Sequence, residues 1–179
     1  PGDVFLVLDL DQPGVVRQRG FYQLLRAQGV AVHFVVHDLL PCRQPEYFPP
    51  GAGDWHKAWL EVVCQCDGAL CVSRSVAADL EQWLHQQSSA LDTSQFAIRW
   101  FHHGSDFCPR SVALSPAQAR SLKLIPQGPT LLMVGTVEPR KGYLDVIEAA
   151  TQLWQQGHQF NLIIVGKEGW KDLPQDQRR

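Results

Sequence analysis

The sequence predicts an α/β protein built on parallel sheets, and three observations lead there. Short apolar runs alternate with stretches of helical periodicity, the pattern of repeated βαβ units. The runs are near-continuously apolar, as strands covered on both faces are. The pattern then breaks once, over residues 105–129, and restarts. Two Rossmann-like parallel-sheet units, both incomplete in this chain, account for all three. The implied boundaries are residues 1–104, a linker at 105–129, and 130–179.

The elements follow in order. Val4 to Leu8 is an apolar run that reads as a doubly covered strand, with Asp9 and Asp11 at its carboxyl end. Residues 15–28 have helical periodicity, with Val16, Leu24 and Leu25 facing inward and Gly29 as the stop. Residues 30–36 form the next strand and end at His37-Asp38, before a loop carrying Pro41, Pro45, Pro49 and Pro50. Trp55, Trp59, Val62 and Val63 mark a helix, and 69–72 a short strand. Ser73 suits an N-cap for a helix bearing Val76, Leu80, Trp83 and Leu84. A fourth strand at 96–101 runs into His102-His103-Gly104. The segment 105–129 holds Pro109, Pro116, Pro126 and Pro129, with one short helix expected near 117–122. A strand at 130–134, a helix at 141–156 and a strand at 161–165 then rebuild the βαβ pattern. In that helix Leu144, Ile147, Ala150 and Trp154 point inward, and Gly157 stops it.

Composition narrows the function classes. The 179 residues are 45% hydrophobic and 19% charged, with a net charge of -2, which excludes general disorder. Lys and Arg number 16 against 18 Asp and Glu, so binding of nucleic acid through bulk charge is not expected. No apolar run approaches the ~20 residues of a membrane-spanning helix. The five cysteines (Cys42, Cys64, Cys66, Cys71, Cys108) are expected to be reduced thiols, with Cys64 and Cys71 in the core. Cys64-Gln-Cys66 lacks the paired spacing of a zinc site, and His102, His103 and Cys108 have no second ligand pair, so no metal is expected. Trp55, Trp59, Trp83 and Trp154 lie at helical spacing in apolar faces and read as core. The chain begins at Pro1, which reads as the start of an excised piece.

The stretch from Val134 to Gly142 carries the most chemistry. It stands at the carboxyl end of a parallel strand and the start of a helix, where open α/β sheets bind ligands. Pro139 suits a first helical turn, and helix-start N–H groups favour an anion. Cations there are mildly unfavourable, by ~0.3–1 kcal/mol. Arg140 and Lys141 therefore either meet a bound phosphate, or are solvated and paired with Glu138 or Asp145.

Gly135-Thr-Val-Glu-Pro-Arg-Lys-Gly142, followed by an amphipathic helix and Leu162-Ile-Ile-Val-Gly166, resembles the donor-domain entry of glycosyltransferase family 4, retaining enzymes of the GT-B fold. Val35-Val-His-Asp-Leu-Leu-Pro41 resembles that family's cleft-facing His-Asp stretch. Asp67 to Ser75 resembles its next strand-turn-helix, and His102-His-Gly-Ser-Asp106 its Gly-x-Asp turn before the interdomain linker. The pieces occur in order over nearly the whole chain, and Glu138 to Gly142 is the most specific of them.

The resemblance implies transfer of a hexose from a nucleotide-diphosphate sugar to a glycan or lipid-linked acceptor. GDP-mannose is the family's suggestion for the donor, and no metal or other cofactor is implied. Lys141 would contact the donor diphosphate and Arg140 would assist or hold the loop, with Gly135 and Thr136 completing the diphosphate-binding set. His37 would touch the transferred sugar, while Asp38 either orients His37 or caps the next turn. Thr136 stands where many relatives carry arginine, so either Arg140 substitutes for it or the phosphate contacts are thinner. The family's glycine-rich loop and its downstream pair of glutamates are absent, so the piece is expected to be inactive alone. A cytoplasmic location is implied, with peripheral association at the inner membrane face. The alternatives are a non-catalytic GT-B-like binding module, or another doubly wound phosphosugar- or nucleotide-binding protein.

Overall fold

The computed structural model describes residues 2–87, 95–105 and 115–169. The chain divides into two units, Pro1–Ser105 and Asp106–Arg179, each holding one parallel sheet. The α/β class with parallel sheets is therefore as the sequence predicts.

In the first unit, β1 (Val4–Val7), β2 (Ala31–Val36), β3 (Gly68–Cys71) and β4 (Ala97–Trp100) lie in the order β1-β2-β3-β4. All three pairings are parallel, with Phe34 opposite Ala69 and Ala69 opposite Ile98. The helices are α1 (Gln12–Arg17), α2 (Arg19–Ala27), α3 (Leu40–Arg43), α4 (Ala52–Val63) and α5 (Arg74–Gln87). Val32, Phe34 and Val36 of β2 pack with Trp59, Leu60 and Val63 of α4 and Leu80 of α5 in one continuous core. Cys64 and Cys71 are buried in it as expected, and Cys66 joins them.

Three expectations need correction here. The helix read at 15–28 is two helices meeting at Gln18, and the first starts earlier. Asp11 caps it by accepting the Gly14 N–H (3.0 Å), and Pro13 is tolerated in the first turn, where a missing N–H removes no helical bond. Leu24 is 56% exposed, because Tyr22 supplies the buried contact of α2. β1 is not covered on both faces; it is an edge strand, with Val4 62% exposed and Phe5 touching Phe21 and Tyr22 of α2.

Asp67 ties the unit together. Its carboxylate accepts the Val32 N–H (2.8 Å) and the Arg26 Nε–H (3.1 Å), joining α2, β2 and the start of β3. Gly68 follows because nothing larger fits: a Cβ there would lie 2.4 Å from the Ala97 carbonyl oxygen. Ser73 caps α5 as the sequence predicts, its Oγ accepting the Val76 N–H at 3.2 Å.

In the second unit, β5 (Thr130–Val134) and β6 (Asn161–Val165) pair in parallel across α7 (Tyr143–Gln155), after a short α6 (Pro116–Lys123). Of the four tryptophans read as core, Trp59 and Trp83 are buried, whereas Trp55 and Trp154 are 53% and 42% exposed. Both exceptions sit in terminal turns, of α4 and α7, and the Trp154 ring meets the Phe160 ring, 5.3 Å between centroids, while staying partly open to solvent. The Trp154 indole N–H instead donates to the Phe160 carbonyl at 3.0 Å.

Candidate functional site

The second unit builds its site where β5 ends. Parallel pairing continues past the two strands: the Gly135 N–H donates to the Val165 carbonyl (3.0 Å), Val137 N–H to Lys167 (2.8 Å) and Gly169 N–H to Val137 (3.1 Å). Such close approach of two strand ends needs glycine. A Cβ on Gly166 would lie 1.8 Å from the Gly135 carbonyl oxygen. Gly135 itself has a φ of +153°, and its carbonyl accepts the Tyr143 hydroxyl at 2.8 Å. Thr136 is half-buried between these fixed points.

The helix expected from residue 141 instead begins at Tyr143. Pro139–Lys141 forms one tight 3-10 turn, and Gly142 changes direction with a φ of +69°. Arg140 and Lys141 thus stand on a turn just before α7, not inside its first turn. Lys141 is exposed. The Arg140 Nε–H donates to Glu138 Oε2 at 2.7 Å, and Glu138 is only 1% exposed. Of the two partners weighed for the cations, Glu138 is the one that pairs, and it pairs with Arg140.

Burial of Glu138 is the feature sequence reasoning missed. A Cβ on Gly169 would fall 2.2 Å from its Cγ, so the backbone beyond β6 presses directly on the carboxylate. Among the described residues Glu138 Oε1 has no hydrogen-bond partner. A buried carboxylate held this way imposes a position on the guanidinium it pairs with, since charge-assisted pairs are directional.

In the first unit, His37 follows the last residue of β2, and Val36 before it is fully buried. His37 Nε2 lies 3.4 Å from the Leu8 carbonyl, and the ring is near-parallel to His103, 6.3 Å between centroids. His103 is in turn edge-on to Phe101. His37 and His103 are therefore brought together at one end of the sheet, a pairing that no spacing in the sequence signals. Asp38 does not turn toward His37. Its Oδ1 accepts the Leu40 N–H at 3.0 Å, the capping alternative. Asp106 and Cys108 lie outside the described residues.

The three core thiols favour the protonated form. Burial pushes Cys64 up to about 12 and Cys66 and Cys71 up to about 11, which disfavours the reactive thiolate. Among the described residues, no three His, Cys, Asp or Glu side chains converge as a metal site would require.

The two units are thus Rossmann-like α/β units, and the second carries Arg140 and Lys141 on a turn beyond its first strand. In sequence, residues 115–178 match the family described as glycosyl transferases group 1. The chain is also 36% identical, over 176 residues, to the serotype-specific mannosyltransferase WbdA of Escherichia coli. A second protein of that name and organism matches at the same identity. The alignment with each covers 94% of this chain and 21% of the relative, so the chain spans about a fifth of the length of these relatives. No solved structure matches the chain significantly.

Proposed function

We propose that this chain belongs to a retaining GT-B glycosyltransferase of family 4 that moves a hexose from a nucleotide-diphosphate sugar to a glycan or lipid-linked acceptor. The observation that carries the reading is the turn at Pro139–Lys141, set at the carboxyl end of β5 within the group 1 glycosyltransferase match. Transfer breaks the bond between the sugar and the diphosphate, and negative charge grows on the departing phosphate oxygens. Fixed cations there stabilise the transition state more than the ground state. Lys141 is the exposed cation and makes the phosphate contact. Arg140, drawn toward Glu138, holds the loop in shape, with Gly135 and Thr136 providing its backbone frame. No metal or further cofactor is required by this arrangement.

The mannosyltransferase relatives favour mannose as the sugar and GDP-mannose as the donor. His37 meets the transferred sugar on the acceptor-side unit, residues 1–104, and residues 105–129 link it to the donor unit at 130–179. Among the described residues no helix is long and apolar enough to cross a membrane. The protein works in the cytoplasm at the inner membrane face, where a lipid-linked acceptor is presented. By this reading the 179 residues by themselves transfer no sugar, because the downstream glutamate pair that the resemblance calls for does not occur among them.

Ligand-observed NMR on the full-length protein tests this with GDP, UDP, dTDP and ADP sugars. One sugar nucleotide is expected to bind, and Lys141→Ala to weaken it at least tenfold, from loss of about 1.5–3 kcal/mol per charged hydrogen bond. Arg140→Ala is expected to weaken it less. If no nucleotide binds, or Lys141→Ala binds equally well, the donor site is wrong and a non-catalytic module is the better reading.

A further inference from the structure

His56 is fully buried on α4, in a core otherwise almost wholly apolar. Both of its ring nitrogens are used, and both reach other elements. Nε2 lies 3.0 Å from the Asp38 carbonyl oxygen, which only accepts, so Nε2 carries the proton. Nδ1 then offers a lone pair, and the Gln12 side-chain amide of α1 donates to it. The ring also rests against Trp59, 5.1 Å between centroids. Burial lowers the tendency of this imidazole to protonate, which favours the neutral tautomer the two bonds require. Filling the same space with an apolar side chain would avoid desolvating two polar atoms, so the bonds are where the specificity of this residue lies.

What those bonds hold is the turn beside His37. Val36, one residue earlier, is buried in β2, and its carbonyl accepts the Val72 N–H at 3.1 Å. Asp38, one residue later, is held twice: its carbonyl by His56 and its carboxylate by the Leu40 N–H. His37 is the residue between these two anchors, and the direction of its imidazole toward His103 depends on both.

We propose that His56, braced by Gln12, is the positioning residue that fixes the His37–Asp38 turn, so that a buried α4 side chain sets the placement of the sugar-facing imidazole. This rests on the reading of His37 given above. His56 touches no substrate and acts only through the Asp38 carbonyl.

The test uses the full-length protein, with hydrogen exchange over residues 37–42 and transfer kinetics with the sugar nucleotide found to bind. His56→Leu is expected to raise exchange in this segment and to lower kcat by up to about 100-fold, with the donor KM unchanged. His56→Gln keeps an N–H donor within reach of the Asp38 carbonyl and is expected to restore most of both. Gln12→Leu, which removes only the bracing bond, is expected to fall between them, and it keeps the test open if His56→Leu does not fold. Unchanged exchange in the turn, or kcat losses that merely follow thermal stability in all three variants, overturns the proposal. A wild-type rate in His37→Ala, alongside raised exchange in His56→Leu, overturns the role of His37 while the hold on the turn stands.

Discussion

Glu138 and Arg140 show how one residue pair links stability to a ligand site. Glu138 is 1% exposed and Arg140 22%, so the carboxylate is the desolvated partner and the guanidinium can still reach water. Glu138→Gln keeps the shape and removes the charge. It is expected to destabilise the second unit by about 1.5–3 kcal/mol, the range for a lost bond to a charged group, and denaturant unfolding with and without the substitution measures it. Donor affinity is expected to fall less than in Lys141→Ala, because only the holding contact is lost. The cations Arg140 and Lys141 were legible as a cluster at a strand end. The burial of Glu138 was not, because it is produced by Gly169, thirty-one residues away by the numbering. Asp38 teaches the same lesson: the sequence allowed two roles, and the Leu40 N–H at 3.0 Å selects the cap.

At the scale of elements, sequence periodicity located strands and helices well and their ends less well. The short helix expected near 117–122 is α6 (Pro116–Lys123), and the strand at 161–165 is β6 (Asn161–Val165). The helix expected from 141 starts two residues later, because Gly142 at φ +69° separates it from the preceding turn. β1 is more exposed than its apolar run predicts, since such a run does not reveal whether its strand lies inside the sheet or at the edge. The continued parallel pairing of the chain beyond β5 and β6 is a further property of pairing, not of either strand. Gly166→Ala would put a Cβ against the Gly135 carbonyl, where the obstacle is backbone and not the far end of a flexible side chain. It is expected to cost about 1–3 kcal/mol or more, the overpacking range. Loss of exchange protection at the Gly135 and Val137 amides, ahead of the rest of β5, is the accompanying signature.

At the scale of the whole molecule, the described groups whose protonation is shifted by burial lie in the first unit, and they define a pH window for its stability. His56 has its folded value below the ordinary 6.5, so the unfolded chain takes up a proton first as pH falls. Its contribution is complete above 6.5 and is lost as pH falls through the folded value. The thiols of Cys64, Cys66 and Cys71 move the other way, from 9.0 to about 11–12. The unfolded chain ionises first as pH rises, so their contribution is complete below 9.0 and lost above it. Urea midpoints taken across pH should therefore be highest between about 6.5 and 9, and His56→Gln should flatten the acid limb only. Iodoacetamide should leave the three core thiols unlabelled until the unit unfolds, which tests the same burial directly. By itself, the sequence determined the α/β class, the parallel strands, the core thiols and the cationic turn after β5, because each is written in local periodicity or in adjacent residues. Only the tertiary structure decided which carboxylate would be buried, which tryptophans would be covered, that His37 would face His103, and that His56 would reach the Asp38 carbonyl. Those depend on contacts between residues far apart in the chain, whose distances are set by strand pairing and helix packing, and no local pattern encodes them.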